Sequence, residues 1–378
     1  MGVFLFMLVI FSVAGIAAHI YLFRKIYRIT DFLGSGLSKL KKTIISICVF
    51  VLMLIPAFFF LRYFIIVMHL IVFLIFADMA AVIAKKWRMN RKVSEKNFPK
   101  WIKYAYKTGA AAIILTALVT AYGKYNMYHV VCTEYDVTTD KDISSDYNIA
   151  MLADLHYGIS LDAEQLKQAA DSISGHSPDI VILCGDLVDE STTLSQMQEA
   201  FGILGGIKSK YGVYYVYGNH DKSNYNPSPH FTNEQLDETI ANCGITILED
   251  ESLEINGELF LIGRADKLDS NDTRKEIASL TAASDMEKVV IVADHEPSDY
   301  DNLEKAGCDL VLSGHTHAGQ TFPLGFFNDL IGFSDLNYGY KKQGNLNAIV
   351  TSGIAGWGYD LRTEHHSEYV IVHVKSSK

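Results

Sequence analysis

The sequence predicts two unlike parts, an N-terminal α-helical transmembrane region and a C-terminal α/β domain. Three observations carry that expectation. Four apolar stretches of near-membrane length crowd the first third of the 378 residues. The charge changes sign along the chain: through Gly123 there are 16 Lys and Arg against 3 Asp and Glu, and from Lys124 onward 17 against 40. Beyond residue 146, short runs rich in Val, Ile and Tyr alternate with segments of helical period.

The apolar stretches cover residues 3–23, 43–61, 64–84 and 105–122. Each approaches the ~20 residues that cross a hydrocarbon core. A short break at Arg62 separates the second from the third and reads as a helical hairpin. The opening MGVFLF lacks the basic start of a signal peptide, so the first stretch is expected to remain as a span. Residues 1–123 are thus expected to form a membrane domain of about four helices. Asp78, His19 and His69 are its polar groups within the spans, and Asp78 is expected to pair with Lys85 or Lys86.

Lys and Arg in short loops set orientation. The first loop holds Arg24, Lys25, Arg28, Lys39, Lys41 and Lys42. The third holds Lys85, Lys86, Arg88, Arg91, Lys92, Lys96, Lys100 and Lys103, while the second offers only Arg62. The first and third loops are therefore expected in the cytoplasm. Everything after Gly123 is then expected outside it, at the cell membrane.

Residues 124–146 read as a linker and 147–378 as one α/β domain. Strands are predicted at 147–153, 179–183, 213–217, 259–262, 288–293, 309–312, 348–351 and 368–374. Helices are predicted at 163–174, 195–204, 233–243 and 298–306. The acidic balance of this part argues against nucleic acid as a partner, which needs a basic face. Cys48, Cys132, Cys184, Cys243 and Cys308 are scattered without a CxxC pair, so neither a disulfide framework nor a zinc finger is expected.

What ends each strand is informative. One runs into Asp154-Leu-His156, the next into Gly185-Asp186-Leu-Val-Asp189, and a third into Gly218-Asn219-His220-Asp221. Two later ones run into His295-Glu296-Pro297 and Gly314-His315-Thr-His317. Sites in open α/β sheets form beyond the carboxyl ends of strands. A single histidine there is more often structural, but five such endings in order are not a chance pattern. Carboxylates, an amide and imidazoles without thiolates suit Mn, Fe, Zn or similar divalent ions. Two such ions held close together can activate a hydroxide and neutralise phosphate oxygens. The adjoining glycines fit turns of close approach or positive φ.

The ordered series DLH, GDLVD, GNHD, DHEP and GHTH resembles the calcineurin-like metallophosphoesterase family, and GHTHAGQ with TSGIAGWG resembles its membrane-anchored bacterial branch. The resemblance covers about residue 149 to the C-terminus. It implies two mixed β-sheets packed together and flanked by helices, an αββα sandwich. It implies that Asp154, His156, Asp186 and His317 hold one metal and that Asp186, Asn219, His295 and His315 hold a second, with Asp186 shared. It implies His220 beside the leaving group, oriented by Asp189. Arg362, which follows TSGIAGWGYD, is a candidate contact to the substrate phosphate. Tyr157 and Trp357 are weaker candidates for the cleft wall. Ala318 stands where many relatives carry glycine. Glu296 stands where a small or amide residue is commoner, and is expected to alter charge at the rim.

The expected activity is hydrolysis of a phosphomonoester, phosphodiester or pyrophosphate bond. The substrate is a phosphorylated small molecule or lipid, with an envelope lipid or lipid-linked compound favoured by the anchor. The competing reading is a non-catalytic membrane receptor or scaffold that retains the fold. A degenerate domain would be expected to have lost ligands, and this sequence keeps the full set.

Overall fold

A computed structural model of the chain describes residues 2–91, 99–267, 273–282, 284–285 and 287–377, with side chains described from residue 12 onward. The chain divides into two compact units, Met1–Tyr122 and Gly123–Lys378.

The first unit is helical. It comprises α1 (Gly2–Leu33), α2 (Lys39–Phe59), α3 (Leu61–Asn90), α4 (Lys100–Thr108) and most of α5 (Ala110–Tyr128). Of these, α2 and α3 are long and apolar enough to cross a membrane. α4 and α5 meet the same test only as a pair, bent by 69° at Gly109. The expected first span runs into the part of α1 whose side chains lie outside the described residues. Lys92 and Lys96 of the expected third loop also lie outside them. Asp78 does not pair within its own helix as expected. Lys25 of α1 forms an ion pair with it, and the hydroxyls of Tyr21 and Tyr106 donate to it at 2.9 and 2.8 Å. Donors on α1 and α4 thus satisfy a carboxylate that an apolar surround would otherwise penalise.

The second unit holds two six-stranded mixed sheets. The strands in chain order are β1 (Val131–Thr139), β2 (Tyr147–Leu152), β3 (Ile180–Cys184), β4 (Val213–Val216), β5 (Ile245–Ile247), β6 (Glu251–Ile255), β7 (Leu259–Gly263), β8 (Val289–Ala293), β9 (Leu310–Ser313), β10 (Gly339–Gln343), β11 (Leu346–Val350) and β12 (Glu368–Ser376). One sheet has the order β1-β12-β2-β3-β4-β5 and the other β10-β11-β9-β8-β7-β6. The helices are α6 (Ala163–Gly175), α7 (Leu194–Leu204), α8 (Asn233–Asn242), α9 (Ile277–Thr281), α10 (Tyr300–Lys305) and α11 (Leu324–Ile331).

Strand periodicity explains the layering. On β2, Ile149 and Met151 face the second sheet, where Leu261, Ile291 and Leu312 meet them. Ala150 and Leu152 face the other way, onto Leu166 of α6 and Phe201 of α7. The outer face of the second sheet packs Val290 and Val292 against Leu280 of α9 and Leu303 of α10. The result is the expected helix–sheet–sheet–helix sandwich. Each of α6, α7 and α8 opens with a capping box, from Asp162, Thr193 and Thr232 to a glutamine three residues on.

All eight predicted strands and all four predicted helices of this domain form. Residues 124–146 are not simply a linker: they carry the end of α5 and β1, which pairs in parallel with β12 from Val131 to Thr139. β1 is an edge strand buried fully only at Val137 and Thr139, so its sequence VCTEYDVTT lacks a buried strand's apolar run.

Candidate metal centre

Five parallel strands deliver the predicted residues to one edge of the sandwich. β2 leads into Asp154 and His156, β3 into Asp186, and β4 into Asn219 and His220. From the second sheet β8 leads into His295, and β9 into His315 and His317. The parallel pairings β2–β3–β4 and β8–β9 align their carboxyl ends.

The side chains gather into two groups. The ligand-type atoms of Asp154, His156 and His317 lie within 4.8 Å of one another, as do those of Asp186, His295 and His315. Asp186 touches both: its Oδ2 is 3.1 Å from His295 Nε2 and 3.7 Å from His156 Nε2. Asn219 Oδ1 is 3.0 Å from His315 Nδ1. His295 Nδ1 is 2.8 Å from the Cys184 carbonyl, which can only accept. That contact places the proton on Nδ1 and turns Nε2 toward the site.

These residues fit divalent ions. Asp154 Oδ2, His156 Nδ1 and His317 Nδ1 are buried with no hydrogen-bond partner. Native structures leave few such atoms, and a cluster of them calls for a bound group. Burial and mutual charge shift these groups strongly. Burial and the charge of Asp186 push Asp154 up to about 6, against the pull of His295. Burial also works on Asp186, but His295 and His156 outweigh it and hold that carboxylate well below its usual range. Burial and the His295 charge keep His315 down at about 4, and burial with His156 keeps His317 well below its ordinary value. The last two are thus neutral imidazoles, the form in which histidine binds metal.

The backbone is strained where the ligands sit. Asp154, His156, Asp186, His315 and His317 all have positive φ, from 41° to 73°. Left-handed backbone costs an L-residue roughly 1–2 kcal/mol, and such residues cluster at functional sites. Asp221 holds much of the arrangement. Its buried carboxylate accepts the N–H groups of Asp186, Leu187, Val188 and Gly218 at 2.7, 2.8, 3.1 and 2.7 Å. A Cβ on Gly218 would lie 2.3 Å from Asp186 Oδ1, so this turn requires glycine.

His220 stands beside the two groups, its ring 5.4 Å from that of His156. Asp189 does not orient it, contrary to expectation. Glu190 does: His220 Nδ1 lies 2.9 and 3.0 Å from its two carboxylate oxygens. Burial opposes the imidazolium, but the hydrogen bond to Glu190 and the charges of Asp186 and Glu190 raise the His220 pKa. Asp189 sits instead 3.6 Å from His156 Nδ1 and accepts from Ser191. Consecutive residues on a turn point apart, so the reach of each carboxylate follows from the turn and not from the order of letters.

Arg362 is not placed to meet substrate either. It is fully buried, and its guanidinium donates to the carbonyls of His317, at 3.0 Å, and Ala355. It ties the GHTH turn to the TSGIAGWG loop from behind. Glu296 is buried as well, and burial with the charges of Asp266 and Asp294 pushes it up to about 7. It therefore lies beneath the surface and not at the rim. Tyr157 is buried and donates to Glu199, away from the cleft. Trp357 is half-exposed with its ring 5.6 Å from His220, and Tyr225 flanks the same imidazole at 5.3 Å. Phe333 stacks on His315 at 6.3 Å. Sequence reasoning missed Glu190, Asp221, Tyr225 and Phe333. Glu190 follows the last letter of GDLVD and Asp221 is the last letter of GNHD, so both were detectable as additional carboxylates, whereas nothing local marks the two aromatic residues.

Comparison with known proteins bears on this geometry. Residues 147–319 match the family model of the calcineurin-like phosphoesterases. An uncharacterized metallophosphoesterase of Campylobacter jejuni is 32% identical over 240 residues, covering 63% of this chain and 61% of its own. One from Helicobacter pylori is 31% identical over 233 residues, covering 61% and 60%. The transmembrane protein with metallophosphoesterase domain of Danio rerio is 25% identical over 290 residues, covering 72% and 64%. The matches thus span about three fifths of the length of these relatives. Over residues 147–319 the chain carries a calcineurin-like phosphoesterase domain.

Proposed function

We propose that the protein is a membrane-anchored, metal-dependent phosphoesterase that hydrolyses a phosphomonoester, phosphodiester or pyrophosphate bond. The observation that carries this reading is the pair of ligand groups meeting at Asp186, with His220 beside them. Asp154, His156, His317 and Asp186 would hold one divalent ion, and Asp186, Asn219, His295 and His315 the other. Such ions supply an acidified water and charge that neutralises phosphate oxygens. The remaining work falls to side chains. Glu190 fixes His220 through Nδ1 and favours its imidazolium, leaving Nε2 to donate a proton to the departing oxygen. Trp357 and Tyr225 pack around that ring and limit water on its open side.

The favoured substrate is an envelope lipid or lipid-linked phosphate, since α2 and α3 have the length and apolarity of membrane spans. The domain is proposed to face out of the cytoplasm, because Lys and Arg concentrate in the first and third loops and only Arg62 occupies the second. A reporter active only outside the cytoplasm, fused after Lys378, is expected to be active. Protection of the domain from protease in intact cells would reverse the topology.

The full chain, purified and loaded with Mn, Fe or Zn, should hydrolyse at least one member of a panel of phosphomonoesters, nucleotide sugars and phospholipids. His220→Ala should lower turnover on an unactivated ester roughly 10²–10⁴-fold with the metals still bound. A loaded wild-type chain inert toward the whole panel would return the reading to a scaffold.

A further inference from the structure

The second unit keeps most of its large apolar side chains inside, and the exposed ones are concentrated in one segment. Eleven are exposed from Gly123 onward among the described residues, and seven lie between Phe322 and Phe333. Phe322, Leu324, Phe326, Phe327, Leu330, Ile331 and Phe333 are each 46–68% exposed. Soluble monomers scatter such residues singly, and a contiguous patch marks an interaction surface.

The patch is built on a fixed element. α11 runs from Leu324 to Ile331 with the sequence LGFFNDLI, and Gly325 is its one buried residue. Phe327 and Ile331 are four apart, as are Phe326 and Leu330, so the apolar side chains line one stripe. That stripe faces away from the domain, the reverse of an ordinary surface helix. The other side is pinned. The Gly325 N–H donates to Glu364 at 2.9 Å, and Asn328 reaches Asn337 at 3.4 Å. Gly319, two residues past the ligand candidate His317, approaches so closely that a Cβ there would lie 2.1 Å from the Gly325 nitrogen. At the far end Phe333 stacks on His315. One face of this short segment thus borders the metal centre, while the other is largely hydrocarbon, interrupted by the exposed Asp329.

We propose that α11 and its flanks dock into a lipid bilayer, so that phosphate groups at the membrane surface lie at the mouth of the metal centre. The occupant is the bilayer because the same chain holds α2 and α3, which are apolar enough to span one. The inference rests on that anchor reading. Its chemistry is apolar insertion, as in interfacial helices rich in Phe and Leu. Charge attraction is not the cause: the domain is strongly acidic, and the stripe contains no Lys or Arg.

Photo-crosslinking on the full chain reconstituted in phosphatidylcholine vesicles tests it. p-Benzoylphenylalanine is placed singly at Phe326, Leu330, Glu238 and Leu52. Glu238 is exposed on α8, and Leu52 is exposed on the candidate span α2. Lipid adducts are expected at Phe326, Leu330 and Leu52 and not at Glu238, with little change in high salt. Phe327→Asp with Leu330→Asp should lower the Phe326 adduct by about tenfold or more, since each apolar side chain withdrawn from water shifts the docking equilibrium by about that factor. Adducts at Leu52 with none at Phe326 and Leu330 would overturn the docking and leave the anchor standing. An adduct to a second copy or another protein would assign the patch to that partner and overturn it equally. No lipid adduct even at Leu52 would remove the anchor and the docking together.

Discussion

Glu190 and His220 form a carboxylate–imidazole contact beside the two ligand groups, with His220 Nδ1 2.9 Å from Oε1. The neighbouring Asp189 serves His156 instead, at 3.6 Å. Two adjacent carboxylates therefore have separable effects. Glu190→Gln should lower turnover on an unactivated ester by roughly 10–100-fold, as part of the general-acid contribution of His220, and should leave metal content intact. Asp189→Asn should weaken metal retention by roughly 10–100-fold, the usual effect of losing a partner to a ligating histidine. Metal titration alongside turnover separates them. If Asp189→Asn alone depressed turnover at full metal loading, the assignment would be reversed.

Asp186 reaches toward both ligand groups, so its replacement should not be selective. Elemental analysis of the full chain purified without chelators should approach two equivalents of divalent metal. Asp186→Asn should reduce both. Loss of one equivalent with the other unchanged would show that the carboxylate is not shared.

The sandwich was legible because its core strands are short apolar runs with polar endings. Ile149 to Leu152 and Val289 to Ala293 are buried at nearly every position, and such runs are the clearest strand signal. β1, β5, β6 and β10 were not legible, since each lies at a sheet edge and mixes exposed with partly or fully buried residues. The ligand-type residues were legible for a related reason: each follows the last buried residue of a strand. Glu190 and Asp221 escaped because their roles depend on how a turn directs side chains. Arg362 was misread because an arginine among loop residues gives no sign of burial, and only the packing of two loops encloses it.

Arg362 should behave as a structural residue. Its guanidinium satisfies the carbonyls of His317 and Ala355, and hydrogen bonds from a charged group are worth ~1.5–3 kcal/mol each. The desolvation of a buried cation offsets part of that. Arg362→Met should destabilise the domain by about 2–3 kcal/mol, a fall in Tm of roughly 4–12 °C for a domain of this size. An unchanged Tm with a large rise in KM would instead restore the substrate contact expected from the sequence.

Ala318 and Gly319 are neighbours with the same hand of backbone and opposite tolerance. Their φ values are 51° and 82°, both in the left-handed region. For Ala318 three effects nearly cancel. Removing its Cβ would relieve roughly 1–2 kcal/mol of left-handed strain. It would add roughly 0.5–1 kcal/mol of unfolded-state entropy and forfeit about 0.8 kcal/mol of buried methyl. Ala318→Gly should therefore change stability by less than about 1 kcal/mol, which explains how this chain carries alanine there. Gly319 has no such balance. A Cβ there would sit 2.1 Å from the Gly325 nitrogen and 2.5 Å from its Cα, and backbone cannot step aside as a flexible side chain can. Gly319→Ala must displace α11 from the GHTH turn, at a cost of more than about 3 kcal/mol once strain and lost packing combine. Thermal melts of the two variants in the full chain measure the asymmetry. Equal melting temperatures would mean that α11 does not rest on the turn as closely as described.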